Sequence, residues 1–143
     1  MIYVSNALNY ISKFQISIDT NGQFGYNRRR KEGTELIYSI EELRSIIEPI
    51  AKKYHLPAVY LFGSYARGTA NEASDIDLLV DTTGTSLTSL FSLGTLYCDL
   101  QDALKKDIDL ITVSSLQQKA QLPSEYDFRK TVLNERVNLY HVA

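Results

Sequence analysis

From residue 36 onward the apolar positions of this 143-residue chain switch between two periods, and the switches mark out its elements. In "LIYSIEELRSIIEPIAKKYHL", Leu43, Ile46, Ile47 and Ile50 recur at helical intervals, and Ser39 with Glu42 has capping-box spacing. The pattern predicts a helix, kinked at Pro49 because proline lacks the amide donor. "AVYLF", Ala58 to Phe62, is a short unbroken apolar run stopped by Gly63, the mark of a buried strand meeting a tight turn. A second strand is predicted from about Asp75 to Val80. From Leu87 to Lys105 the residues Leu87, Leu90, Phe91, Leu93, Leu96, Tyr97, Leu100 and Leu104 line one helical face, weakened by Gly94. "DIDLITV", Asp107 to Val113, alternates as a third strand, and "YDFRKTVLNERVNLY" predicts a closing helix that ends in "NLY". Helix, strand, strand, helix, strand, helix gives an α/β or α+β class, a sandwich of a small mixed β-sheet flanked by helices.

Residues 1–35 stand apart as an N-terminal extension to a domain spanning 36–143. Phe14, Ile16 and Ile18 alternate with polar neighbours, and "FGY" follows an Asn-Gly pair suited to positive φ, so a small hairpin is expected there. Composition adds limits. At 44% hydrophobic and 22% charged residues the chain can bury an ordinary core. No apolar run approaches the roughly 20 residues that span a bilayer, and no signal-peptide pattern opens the chain, so a cytoplasmic protein without a membrane partner is expected. The single cysteine, Cys98, rules out an internal disulfide and is expected to be a small buried apolar residue. His55 and His141, far apart in sequence and both expected to be exposed, offer no zinc set. A net charge of −2 argues against a nucleic-acid partner, with "RRRK" at Arg28 to Lys31 as a local exception that reads as a solvated loop.

One stretch, "GSYARGTANEASDIDLLVD" from Gly63 to Asp81, is not explained by core building. Residues i and i+2 of a strand share a face, so Asp75 and Asp77 project together while Ile76, Leu78 and Val80 point the other way. Unpaired, two such carboxylates raise each other's pKa; a cation between them removes the conflict. An all-oxygen donor set suits magnesium or manganese, ions that keep coordination positions for substrate phosphates. Asp107 and Asp109 repeat the device on the next strand. Asp109, with apolar neighbours on both sides, is the third candidate ligand, and Asp107 reads as a solvated strand end. Gly63 lets backbone approach a ligand, the amides that follow can bind phosphate oxygens, and Ser64 adds a hydroxyl. Arg67 has two readings: a phosphate contact, or an ion pair with Glu72 or Asp81.

Gly-Ser, ten intervening residues, Asp-x-Asp and a carboxylate on a later strand resemble the nucleotidyltransferase superfamily typified by DNA polymerase β. Within it, "LFGSYARGTANEASDIDLLVD" is similar to the minimal nucleotidyltransferases of prokaryotes. The likeness runs from about Ile37 to Tyr140 and leaves residues 1–35 outside it. It implies the polymerase β-like fold and transfer of a nucleoside monophosphate from ATP to a hydroxyl. Gly63 and Ser64 would hold the triphosphate, Asp75 and Asp77 would ligate two magnesium ions, and Asp109 would ligate the ion nearest the acceptor. Minimal nucleotidyltransferases resemble the antitoxin half of toxin–antitoxin pairs whose toxin is a helical HEPN ribonuclease, adenylylated on a tyrosine. The resemblance therefore implies an antitoxin using ATP and magnesium, in a hetero-oligomer with its toxin. At 143 residues no second domain is expected to remain to grip an acceptor, so the acceptor is expected to bring its own surface. Two other readings stay open: an antitoxin that acts by docking alone, and transfer to a small molecule or RNA, with "RRRK" as a phosphate-contacting arm.

Overall fold

The computed structural model describes residues 16–18, 24–26 and 37–142. β1 (Ile16–Ile18) pairs antiparallel with β2 (Phe24–Tyr26), and the residues that would connect them lie outside the described ones. The "RRRK" cluster lies outside the described residues.

The rest is built on a four-stranded sheet of β3 (Ala58–Phe62), β4 (Ile76–Asp81), β5 (Ile108–Thr112) and β6 (Val137–His141), in the order β5-β4-β3-β6. β3 runs antiparallel to both β4 and β6, while β4 and β5 are parallel. The sheet is mixed, as the pattern requires. Among the described residues five helices accompany it: α1 (Ile40–Lys53), α2 (Gly63–Arg67), α3 (Leu90–Leu104), α4 (Val113–Gln117) and α5 (Pro123–Glu135).

α1 starts where its sequence signals. The Glu42 amide donates to Ser39 Oγ at 3.2 Å and the Ser39 amide to Glu42 Oε2 at 2.8 Å, satisfying two amides the helix cannot use internally. Helical structure continues through Pro49 to Lys53. α1 buries Leu43, Ile47 and Ala51. α3 buries Leu96, Tyr97, Leu100 and Leu104, and both helices cover the sheet face formed by Val59, Leu61, Ile76, Leu78, Val80, Ile108 and Leu110. The opposite face carries a smaller cluster, Phe62, Leu79 and Ile111, closed by Val132 of α5 with Phe128 packed against it. That smaller face is the one that bears the acidic residues, since Asp77 and Asp109 alternate with the buried Leu78 and Leu110.

Three expectations are corrected. The closing helix does not run to "NLY": α5 begins at Pro123, ends at Glu135, and Arg136 turns extended at φ −57°, ψ 136°. Val137 and Leu139 then alternate with Asn138 and Tyr140 as edge strand β6, where ladder pairing with β3 outweighs the weak helical periodicity. Leu87 is buried but precedes α3, which is capped by Ser89 accepting from the Ser92 amide at 3.1 Å. Cys98 is exposed, because it falls between the buried stripe of Tyr97 and Leu100 and the far side of α3. His55 and His141 are exposed, as expected.

Candidate active site

The site forms where β3 stops. Phe62 is extended, and Gly63 turns the chain into α2 with φ at +71°, a conformation costly to any residue with a Cβ. Glycine is needed there for a second reason. A Cβ on Gly63 would overlap Oδ2 of Asp77, so the backbone turn is pressed directly onto that carboxylate. The contact follows from register, since Phe62 lies opposite Asp77 in the β3–β4 ladder.

Asp77 in turn sits beside Asp109, its partner in the parallel β4–β5 ladder. Its pKa is pushed up from 3.8 to about 7, first by burial, then by the charge of Asp109 and a hydrogen bond with it, and then by Asp75; Arg67 pulls it down. The strongest carboxylate neighbour of Asp77 is therefore across the strands, not two residues back along its own. Asp75 is exposed at the residue before β4.

Gly63, Arg67, Asp77 and Asp109 line one cavity of about 700 Å³, roofed by Phe128 and Val132 of α5. Such a volume suits a nucleotide-sized ligand. Ser64 and Asp75 are not among the lining residues, and neither is Asp107. The Asp107 carbonyl instead accepts from the Ile76 amide at 3.0 Å where β4 and β5 begin, and its side chain takes a 3.5 Å hydrogen bond from Gln101. α2 is only five residues long, so phosphate affinity there would come from the turn's amides rather than from a summed helix dipole.

Arg67 does not pair with Glu72 or Asp81. Its Nη1 donates to Oε2 of Glu135, at the end of α5, at 2.9 Å. Glu135 was invisible to sequence reasoning because the segment around it reads as one helix; the alternation of Val137 and Leu139 was the available signal of a helix end. Lys106 was missed too. Its Nζ donates to Tyr65 Oη at 2.9 Å and to the Glu72 carbonyl at 3.2 Å, tying the loop before Asp75 to α2.

The carboxylates fit a hard divalent cation. Burial first, and then the charge and hydrogen bond of Asp109, push the Asp77 carboxyl up to about 7, and a bound cation would relieve both. Among the described residues no group of three or more His, Cys, Asp or Glu is gathered as a metal cage. Two carboxylates with the remaining positions left to water and phosphate is the usual arrangement for magnesium.

Comparison with known proteins agrees with this geometry. Residues 45–141 match the family model described as polymerase beta, nucleotidyltransferase. Protein adenylyltransferase MntA of Thermococcus cleftensis is 33% identical over 103 residues, covering 69% of this chain and 94% of that protein. Among solved structures, a toxin–antitoxin complex with AMP-PNP contains a chain similar to this one at 26% identity with a TM-score of 0.54, covering 69% of this chain and 73% of that one. A complex of a tri-AMPylated Shewanella oneidensis HEPN toxin with its MNT antitoxin shares the fold, at 21% identity and a TM-score of 0.50 over 72% of this chain and 73% of that one. With the match covering the turn at Gly63, both acidic strands and α5, this chain belongs to the polymerase β nucleotidyltransferase family.

Proposed function

We propose that this protein is an antitoxin nucleotidyltransferase that transfers AMP from ATP to a hydroxyl, a tyrosine's by preference, of a cognate HEPN ribonuclease toxin and so neutralises it. The observation that carries the reading is the Gly63 turn pressed onto Asp77, itself paired with Asp109, inside a single nucleotide-sized cavity. The relatives named as a protein adenylyltransferase and as toxin–antitoxin complexes support the choice of a protein acceptor and a toxin partner. Among the described residues no helix is long and apolar enough to cross a membrane.

In the reaction the acceptor oxygen attacks the α-phosphorus of ATP in line, the bond to the β-phosphate oxygen breaks, and pyrophosphate leaves. Gly63, Ser64 and Arg67 bind the triphosphate. Asp77 and Asp109, with Asp75 at the strand entrance, would hold magnesium, which would supply charge neutralisation at the phosphates and acidify the acceptor hydroxyl. That help matters, because a carboxylate with a pKa near 3.9 is a feeble base toward a tyrosine near 10. Asp109 takes or orients the acceptor's proton.

The test is to co-express the chain with a candidate HEPN toxin, incubate the purified pair with ATP and magnesium, and weigh the toxin. One or more AMP additions are expected with wild type and none with Asp77→Ala. An unchanged toxin mass with wild-type protein rules the transfer out. Protection of cells by Asp77→Ala, without AMP addition, would make docking alone sufficient.

A further inference from the structure

Arg67 and Glu135 lie 68 positions apart in sequence, yet meet at 2.9 Å, and both line the cavity that holds Asp77 and Asp109. Two features of the fold bring them together. Gly63 and Arg67 are four residues apart on α2 and so share one face of it. β6 runs antiparallel to β3 with Val137 opposite Leu61, so the ladder that ends at these two residues brings the end of α5 beside the start of α2. The corner is fastened: Arg136 lies over the Tyr60 ring at 4.7 Å, and its amide closes α5 on the Val132 carbonyl at 3.0 Å. Glu135 is therefore held by the strand pairing that also places the Gly63 turn.

We propose that Glu135 is a positioning residue that keeps the Arg67 guanidinium on the cavity wall, aimed at the triphosphate; the inference rests on the nucleotidyl-transfer reading above. The Arg67 side chain is 47% exposed and that of Glu135 27%, so an untethered Arg67 would sample many rotamers in solvent. Fixing it beforehand removes that ordering loss from the binding step. The contact uses one terminal nitrogen, and the planar guanidinium has further donors, Nη2 and Nε, for phosphate oxygens. A lone carboxylate on this wall would repel the triphosphate. Paired with Arg67, Glu135 is neutralised and contributes direction.

Titration of Mg·ATP into wild type, Glu135→Gln, Arg67→Ala and the double variant tests the assignment. Glu135→Gln keeps the shape of the side chain and removes its charge, and it should weaken Mg·ATP binding roughly five- to twentyfold, within the span of coupling between contacting residues. Arg67→Ala should weaken it at least as much, and the double variant should be no weaker than Arg67→Ala. In the transfer assay the Glu135→Gln change should fall on KM for ATP, with kcat within about twofold. Melting temperatures should stay close to wild type, because a partly exposed ion pair contributes little to stability. Binding by Glu135→Gln as tight as wild type or tighter overturns the proposal. So does a Glu135→Gln loss that persists in full on the Arg67→Ala background. If wild type shows no saturable Mg·ATP binding, or Asp77→Ala binds equally well, the transfer reading itself falls. If Mg·ATP binding depends on Asp77 and not on Glu135, only the positioning role falls.

Discussion

Replacing Asp77 by asparagine should stabilise the metal-free protein, and the gain should grow with pH. In the unfolded chain Asp77 titrates near its ordinary 3.8, whereas in the folded protein burial and Asp109 push it up to about 7. Between these values the folded state binds the proton more tightly than the unfolded state does, so stability falls as pH rises from about 4 to about 7 and stays low above that. At about 1.4 kcal/mol for each tenfold change in proton affinity, the step from 3.8 to about 7 caps the loss near 4 kcal/mol. Asp77 is only half-buried, so solvent screening brings the expected value down to about 1–3 kcal/mol at pH 8, and to less than half of that at pH 5. Asparagine keeps the shape, carries no charge, and donates an amide proton to Asp109 in place of the shared one. Urea unfolding in EDTA at pH 5, 6.5 and 8 measures the difference. Thermal melts at pH 8 should show a rise of roughly 3–10 °C for a chain of this size. A variant no more stable than wild type at pH 8, or a gain that does not change with pH, refutes the reasoning and makes the carboxylate a structural element of the sheet.

Other substitutions probe the same arrangement. Asp109→Asn removes the strongest charge acting on Asp77, so the pH dependence of wild-type stability should shrink in EDTA melts, while transfer of AMP falls by about a hundredfold or more. Gly63→Ala meets both a left-handed φ and the Asp77 carboxylate, so it should destabilise the fold by about 1–3 kcal/mol in urea and abolish transfer; a fully active variant would show that the turn can relax. Ser39→Ala, which breaks the reciprocal cap of α1 far from the cavity, should cost about 1 kcal/mol of stability and leave Mg·ATP binding unchanged.

Much of the fold was legible before any coordinates because its signals are local. The Ser39–Glu42 cap, the run Ala58 to Phe62 and the alternation around Ile76 and Ile108 each declare an element within a few residues. The same holds for the motif: Gly63, Asp75 and Asp77 stand out by their spacing, and Asp109 by its apolar neighbours on a later strand. What was misread lay where two local preferences compete. "VNLYH" can continue a helix or form a strand, and only the free edge of β3 selects the strand. Cys98 is another case, since its exposure depends on which face of α3 meets the sheet.

By itself, then, the sequence determined most of the element types, a mixed α and β architecture, the glycine turn and the acidic residues, because period and spacing are properties of neighbouring residues. Tertiary structure alone decided that Asp77 faces Asp109 more strongly than Asp75, that Gly63 touches Asp77, and that Arg67 meets Glu135 rather than Glu72 or Asp81. Each of these depends on strand order and register, which join positions from 14 to 68 residues apart and which no short window of the chain encodes.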